Sequence, residues 1–160
     1  MKAQETIERE LNDIASLLLP VVGQYLLLPG VSVAEIVGFL PPEDRGANAP
    51  DWFLGYVEWR KLKVPVISFE VMNGQPLPEA HENNRIAVLN NTGQSKSLPF
   101  FAIVTQATPR LMRISESEID EINSAQLNKF ENMRVRVQEE EATIPAFVEM
   151  EKALIRFLGL

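Results

Sequence analysis

The sequence predicts a mostly β protein made of two small barrels that share a core. Three observations lead there. Apolar, β-branched and aromatic residues come in short runs punctuated by glycine, proline and asparagine, the pattern of strands and tight turns. Helical spacing is clear only near the C-terminus, where Phe147, Met150, Ala153, Leu154, Phe157 and Leu158 would line one face. About nine or ten strands result, in two groups of about five on either side of a polar connection near 75–84.

Residues 1–12 are acidic and polar, with Ile7 and Leu11 spaced for a short helix, and are read as a polar N-terminal extension. Ser16 to Val22 and Tyr25 to Leu28 flank Gly23-Gln24 and form a hairpin. Their leucine runs also suit a helix, but Pro20, Gly23, Pro29 and Gly30 interrupt one of useful length. Val31 to Phe39 is a strand with Glu35 inside its apolar pattern, and Leu40 to Pro50 is a loop. The run from Pro50 to Glu70 is two strands around a cationic tip at Arg60-Lys61, ended by a turn at Asn73-Gly74. Arg85 to Leu89, Leu98 to Gln106 and Leu111 to Ile114 are strands. Ser115 to Phe130 reads as loop with a helical turn at its start. Met133, Val135 and Val137 alternate with Arg134 and Arg136, a half-exposed strand with one cationic side. The acidic run from Gln138 to Glu141 reads as a solvated loop, and Thr143 to Val148 fits no single state. A helix over Glu149 to Leu158 ends at Gly159.

The 160 residues suit one domain with a real core, spanning 13–160. A net charge of −7 argues against a general nucleic-acid binder and against attraction to anionic membranes. The absence of cysteine excludes disulfides, thiolate metal sites and cysteine nucleophiles. His81, the single histidine, has no companions at metal-ligand spacing and no serine partner, so neither a metal site nor a catalytic triad is read; no cofactor is expected. The N-terminus lacks the character of a secretory signal, and the apolar stretch from Ile14 to Val37 is too interrupted to span a membrane. The expectation is a cytoplasmic protein.

Several segments together resemble the CheW-like coupling proteins of bacterial chemosensory systems. Pro50, Gly55, Arg60 and Pro65-Val66-Ile67 follow the family's central spacing. Val33-Ala34-Glu35-Ile36 matches its upstream strand, Arg85 to Leu89 and Phe101 to Val104 its later strands, and Met150 to Leu154 its terminal helix. Within the family the chain is most similar to the ChpC type of type IV pilus systems, on its LLLP segments and Ser68-Phe69-Glu70. Two positions depart: Lys61 stands in place of a glycine, and Ser68 in place of an aspartate with Glu70 as a substitute.

The resemblance implies two intertwined five-stranded SH3-like barrels with a short C-terminal helix and no enzymatic activity. It implies a scaffold that binds the regulatory domain of a CheA-type histidine kinase on one surface. A groove between the barrels would take the signalling tip of a methyl-accepting chemoreceptor, placing the protein at a membrane-associated array through its partners. Carried onto this chain, the receptor- and kinase-binding residues are Glu35, Arg60, Val33, Ile36, Gly55 and Trp59, with Glu35 and Arg60 paired. Taken alone, the residues leave open two solvated charges, or Arg60 paired with Glu58. Of the tryptophans, at least one belongs to the core, and Trp59 is expected to be the more exposed. Other classes stay in view: an accessory member of a flagellar array, a small enzyme using Asp51 and Glu58, or a nucleic-acid-binding barrel.

Overall fold

The computed structural model describes residues 13–123 and 126–160, so the reading of residues 1–12 lies outside the described residues. The strands are β1 (Ile14–Val21), β2 (Gln24–Pro29), β3 (Val33–Gly38), β4 (Phe53–Trp59), β5 (Leu62–Ile67), β6 (Arg85–Asn90), β7 (Phe100–Thr105), β8 (Arg110–Ile114), β9 (Ile119–Glu121), β10 (Glu131–Val137) and β11 (Glu140–Pro145). Two helices accompany them, α1 (Phe69–Met72) and α2 (Phe147–Leu158).

One sheet runs β8-β1-β2-β11-β10-β9 and the other β3-β6-β7-β5-β4. The first hairpin therefore leaves its sequence neighbours and joins strands from the far end of the chain. Segment 75–84 does not divide two strand groups as expected. It links α1 to β6, whose partners on both sides lie in the five-stranded sheet. Local sequence marks where a strand stops, but not which strand it will join.

Three apolar cores explain the strand patterns. Leu19, Leu26 and Leu28 face Phe53, Ile67, Phe69, Leu89 and Phe101 in a core between the sheets. Leu18 and Leu27 point the other way, onto Ile114, Val135 and Val137. Val57, Trp59, Val66, Ile86 and Val88 make a third core behind the five-stranded sheet. A sheet buried on both faces needs apolar residues at consecutive positions. That is why the leucine runs of β1 and β2 look helical and are strands.

Other differences have local causes. The second strand of the central hairpin stops at Ile67, short of Glu70, because the Ser68 hydroxyl accepts from Val71 N–H and caps α1 (3.2 Å). Serine thus does at this position what an aspartate also does. Gln138 and Glu139 form a two-residue tip with positive φ, and Glu140 and Glu141 belong to β11 rather than to a loop. β10 is no exposed edge, since β9 and β11 flank it, and its cations are engaged, Arg136 with Glu141 (2.9 Å) and Arg134 with Glu131 (3.4 Å). Helix α2 presses Met150 and Leu154 into the shared core and ends at Gly159, whose φ of 72° closes the helix.

Glu131 is buried where the sheets meet. It accepts from Asn73 Nδ2 (2.8 Å), Gln24 Nε2 (3.2 Å) and Asn128 N–H (3.1 Å). Burial pushes its carboxyl up, yet these donors and Arg134 outweigh burial and hold it below the usual carboxylate range. A depressed folded value means the stabilisation is complete above the unfolded value and is lost as pH falls through the folded one. In acid titrations of unfolding, Glu131→Gln is expected to flatten part of the acid limb. At neutral pH the same change should cost about 1–3 kcal/mol.

Gly55 has φ 113°, and a Cβ there would lie 2.4 Å from the Glu43 carbonyl oxygen. The close approach allows Glu43 and Tyr56 to exchange two backbone hydrogen bonds (2.9 and 2.7 Å), fastening the 40–50 loop along β4. Gly55→Ala is expected to lower unfolding stability by about 3 kcal/mol in denaturant titration, with strain and steric overlap acting together.

Candidate functional site

The structure brings Glu35, Trp59 and Arg60 together at one end of the five-stranded sheet. β3 would place Glu35 toward the shared core if its side chains alternated strictly after Val33. A β-bulge between Val33 and Glu35 breaks the alternation. Val33 and Ile36 both pack on the core between the sheets, while Ala34 and Val37 pack on the core behind. Glu35 is thereby turned out beside Trp59.

Arg60 and Lys61 form the two-residue tip joining β4 to β5, with φ of 48° and 63°. Both lie in the left-handed region that a hairpin tip of this length demands, so Lys61 keeps the conformation for which a glycine is suited. The tip lifts Arg60 over the Trp59 indole, its guanidinium carbon 4.6 Å from the ring centroid. Arg60 Nη2 donates to Glu35 Oε1 (3.0 Å), and Trp59 Nε1–H donates to the same oxygen (3.2 Å).

Trp59 is not the exposed tryptophan. It is 7% exposed and packs edge-on to Phe100 with centroids 4.8 Å apart. Trp52 is the half-buried one and meets Phe157 of α2 edge-on. Burying the indole leaves its N–H in need of an acceptor, which Glu35 supplies. Arg60 does not use its neighbour Glu58.

The group offers open polar contacts at the surface. The Arg60 side chain is 67% exposed and that of Glu35 41%. Among the described residues the guanidinium makes one N–H contact and Glu35 Oε2 has no partner. A docking surface would thus meet both open donors and an open acceptor, held by a rigid aromatic base. An exposed pair of this kind contributes only about 0–1 kcal/mol to folding.

The remaining candidates divide. Val33 and Ile36 border the seam between the sheets, half-buried against the shared core. Gly55 is buried beneath Glu43, so it acts through the backbone path it permits and offers no surface. Val31 and Leu111 were not singled out by sequence, yet they are 85% and 71% exposed. Leu111 lies opposite Leu17 across β8 and β1, and Gly30 sets the turn carrying Val31 against Ala15. An apolar residue in a strand is read as core by default, so nothing in the sequence distinguished these two. His81 is exposed, its Nε2 3.0 Å from Gln106 Oε1, and no metal-binding cluster occurs among the described residues.

Lys61→Gly is expected to raise stability by up to about 1 kcal/mol, because a left-handed residue with a Cβ carries strain. Urea titration of the two proteins checks this; an unchanged or lower midpoint would show the tip to be unstrained.

Among known protein families, residues 16–147 match the model of the CheW-like domain. No curated protein matches. Among solved structures, the chain is similar to the scaffolding protein TtCheW from Thermoanaerobacter tengcongensis. The TM-score is 0.70 at 16% identity, covering 83% of this chain and 88% of that one. That likeness establishes the fold, the two SH3-like barrels of a CheW-like protein with a short C-terminal helix.

Proposed function

The chain belongs to the CheW-like domain family, and from that premise we propose that it is a non-catalytic signalling adaptor. It couples a methyl-accepting chemoreceptor to a CheA-type histidine kinase. The observation that carries this reading is the Glu35–Arg60 pair on its buried Trp59 base. Recognition groups are presented there on a stiff hairpin tip. Glu35, Arg60, Val33 and Ile36 form the receptor-facing side, with Trp59 and Gly55 holding the surface in shape. Coupling is a difference in interaction free energy: receptor state alters the geometry of a shared assembly, and the adaptor passes that bias to the kinase. Repeated weak contacts across an array supply avidity that one contact lacks.

The pathway is the one controlling type IV pilus motility, a reading supported by the LLLP segments and by Ser68-Phe69-Glu70. The protein works in the cytoplasm, at the array, through its partners. No helix among the described residues is long and apolar enough to cross a membrane.

The enzymatic alternative rested on Asp51 and Glu58. Asp51 lies in the turn before β4 and Glu58 near the far end of that strand, with about 17 Å of extended strand between Phe53 and Glu58 holding them apart. Asp51 instead lies 3.9 Å from Arg45.

Arg60→Ala is expected to weaken capture of the receptor signalling fragment about tenfold, or about 1.4 kcal/mol. Its melting temperature should fall by less than about 4 °C, because the pair is exposed. Pull-down with receptor fragment and kinase, beside a thermal melt, measures both. Undiminished binding of both partners by the variant would sink the proposal.

A further inference from the structure

A second surface shares no residue with the Glu35–Arg60 group. Between the 40–50 loop, α1 and the connection after it lies a groove of about 690 Å³, within the range of pockets that hold ligands. Its walls are Phe39, Leu54, Val71, Pro76, Leu77 and Val104. The proline-bearing connection that sequence reading treated as a plain surface link forms one side of it.

The polar groups in this groove are mostly acceptors. Glu70 lines it while being only 2% exposed. Its Oε2 accepts from Val22 N–H (3.1 Å) and Gln106 Nε2 (3.3 Å), while Oε1 has no partner among the described residues. Gln75 Oε1, on the same lining, is buried and also without a partner. Asp51 and Glu79 add two further carboxylates; Asp51 lies 3.9 Å from Arg45, while neither Glu79 nor Glu70 has a cationic partner among the described residues. Arg45, the cation of the lining, is already engaged. Its Nε donates to the Phe53 carbonyl (2.7 Å), and its Nη2 to those of Ala49 (3.1 Å) and Pro50 (2.9 Å).

A carboxylate whose free oxygen opens into an apolar-walled groove, with no cation beside it among the described residues, is a ready acceptor for a cationic side chain. We propose that this groove docks a partner segment presenting a lysine or arginine between aliphatic side chains. The cation meets the free oxygen of Glu70, and the flanking side chains cover Leu54, Val71 and Leu77. Such a surface would let the protein hold a second partner while the Arg60 face is occupied.

The test is an amide NMR titration of the full chain with a blocked leucine–arginine–leucine peptide at up to millimolar concentration. Saturable shifts are expected at Leu54, Val71, Leu77 and Val104. Glu70→Gln, checked by its amide spectrum, should weaken binding about tenfold or more. Leu77→Ser is 58% exposed in the parent and leaves the core untouched, so it should also weaken binding and decides the matter if the Glu70 variant misfolds. Absence of shifts at these positions would overturn the proposal, as would equal binding by a peptide with norleucine in place of arginine. Binding of butylamine alone as tightly as the peptide would also overturn it, showing a site for small amines rather than for a segment.

Discussion

Burial of the inner face of the first hairpin against the other sheet is the contact on which the rest depends. Leu19, Leu26 and Leu28 meet Phe53, Phe69, Leu89 and Phe101, with Met150 and Leu154 of α2 closing the same core. Each such side chain stabilises by about 1.5–3 kcal/mol on leaving water. No single barrel contains that core, so neither sheet would be covered without the other. The crossing of β1 and β2 to strands near the C-terminus therefore makes one cooperative unit of two barrels.

Apolar burial does not by itself set register, and here buried carboxylates do. Glu70 ties α1 to the β1–β2 turn and to the end of β7. Glu131 ties Asn73, at the end of α1, to Gln24 at the start of β2. Glu151 of α2 accepts from the backbone and hydroxyl of Thr92. Each joins elements distant in sequence, and loss of a donor would leave a buried charge under-satisfied. These links fix how the sheets sit across their seam, where Val33 and Ile36 lie. An adaptor needs that fixed geometry, because a compliant one would absorb the bias it is meant to transmit.

The proposed recognition group is built differently. Its base, Trp59, belongs to a core, while Arg60 and Glu35 stand at the surface and contribute little to folding. Two local irregularities place them: the bulge in β3 and the left-handed tip between β4 and β5. These two exposed residues can therefore change without endangering the barrels. The acidic apolar groove follows the opposite plan, with Glu70 serving both the fold and the open face.

Sequence alone determined the punctuation and the absence of cysteine chemistry. The hairpins at Gly23 and at Arg60-Lys61, the C-terminal helix with its Gly159 stop, and the spacing from Pro50 through Gly55 and Arg60 to Pro65 were legible, because turn chemistry and periodicity are local. The tertiary structure decided which strands share a sheet, that Trp59 is buried and Trp52 half-open, and that Glu35 faces Arg60. It also decided that the 75–84 connection runs within one sheet. Strand partners are chosen by surfaces far apart in the chain, and one extra residue in a bulge reverses the side to which everything beyond it points.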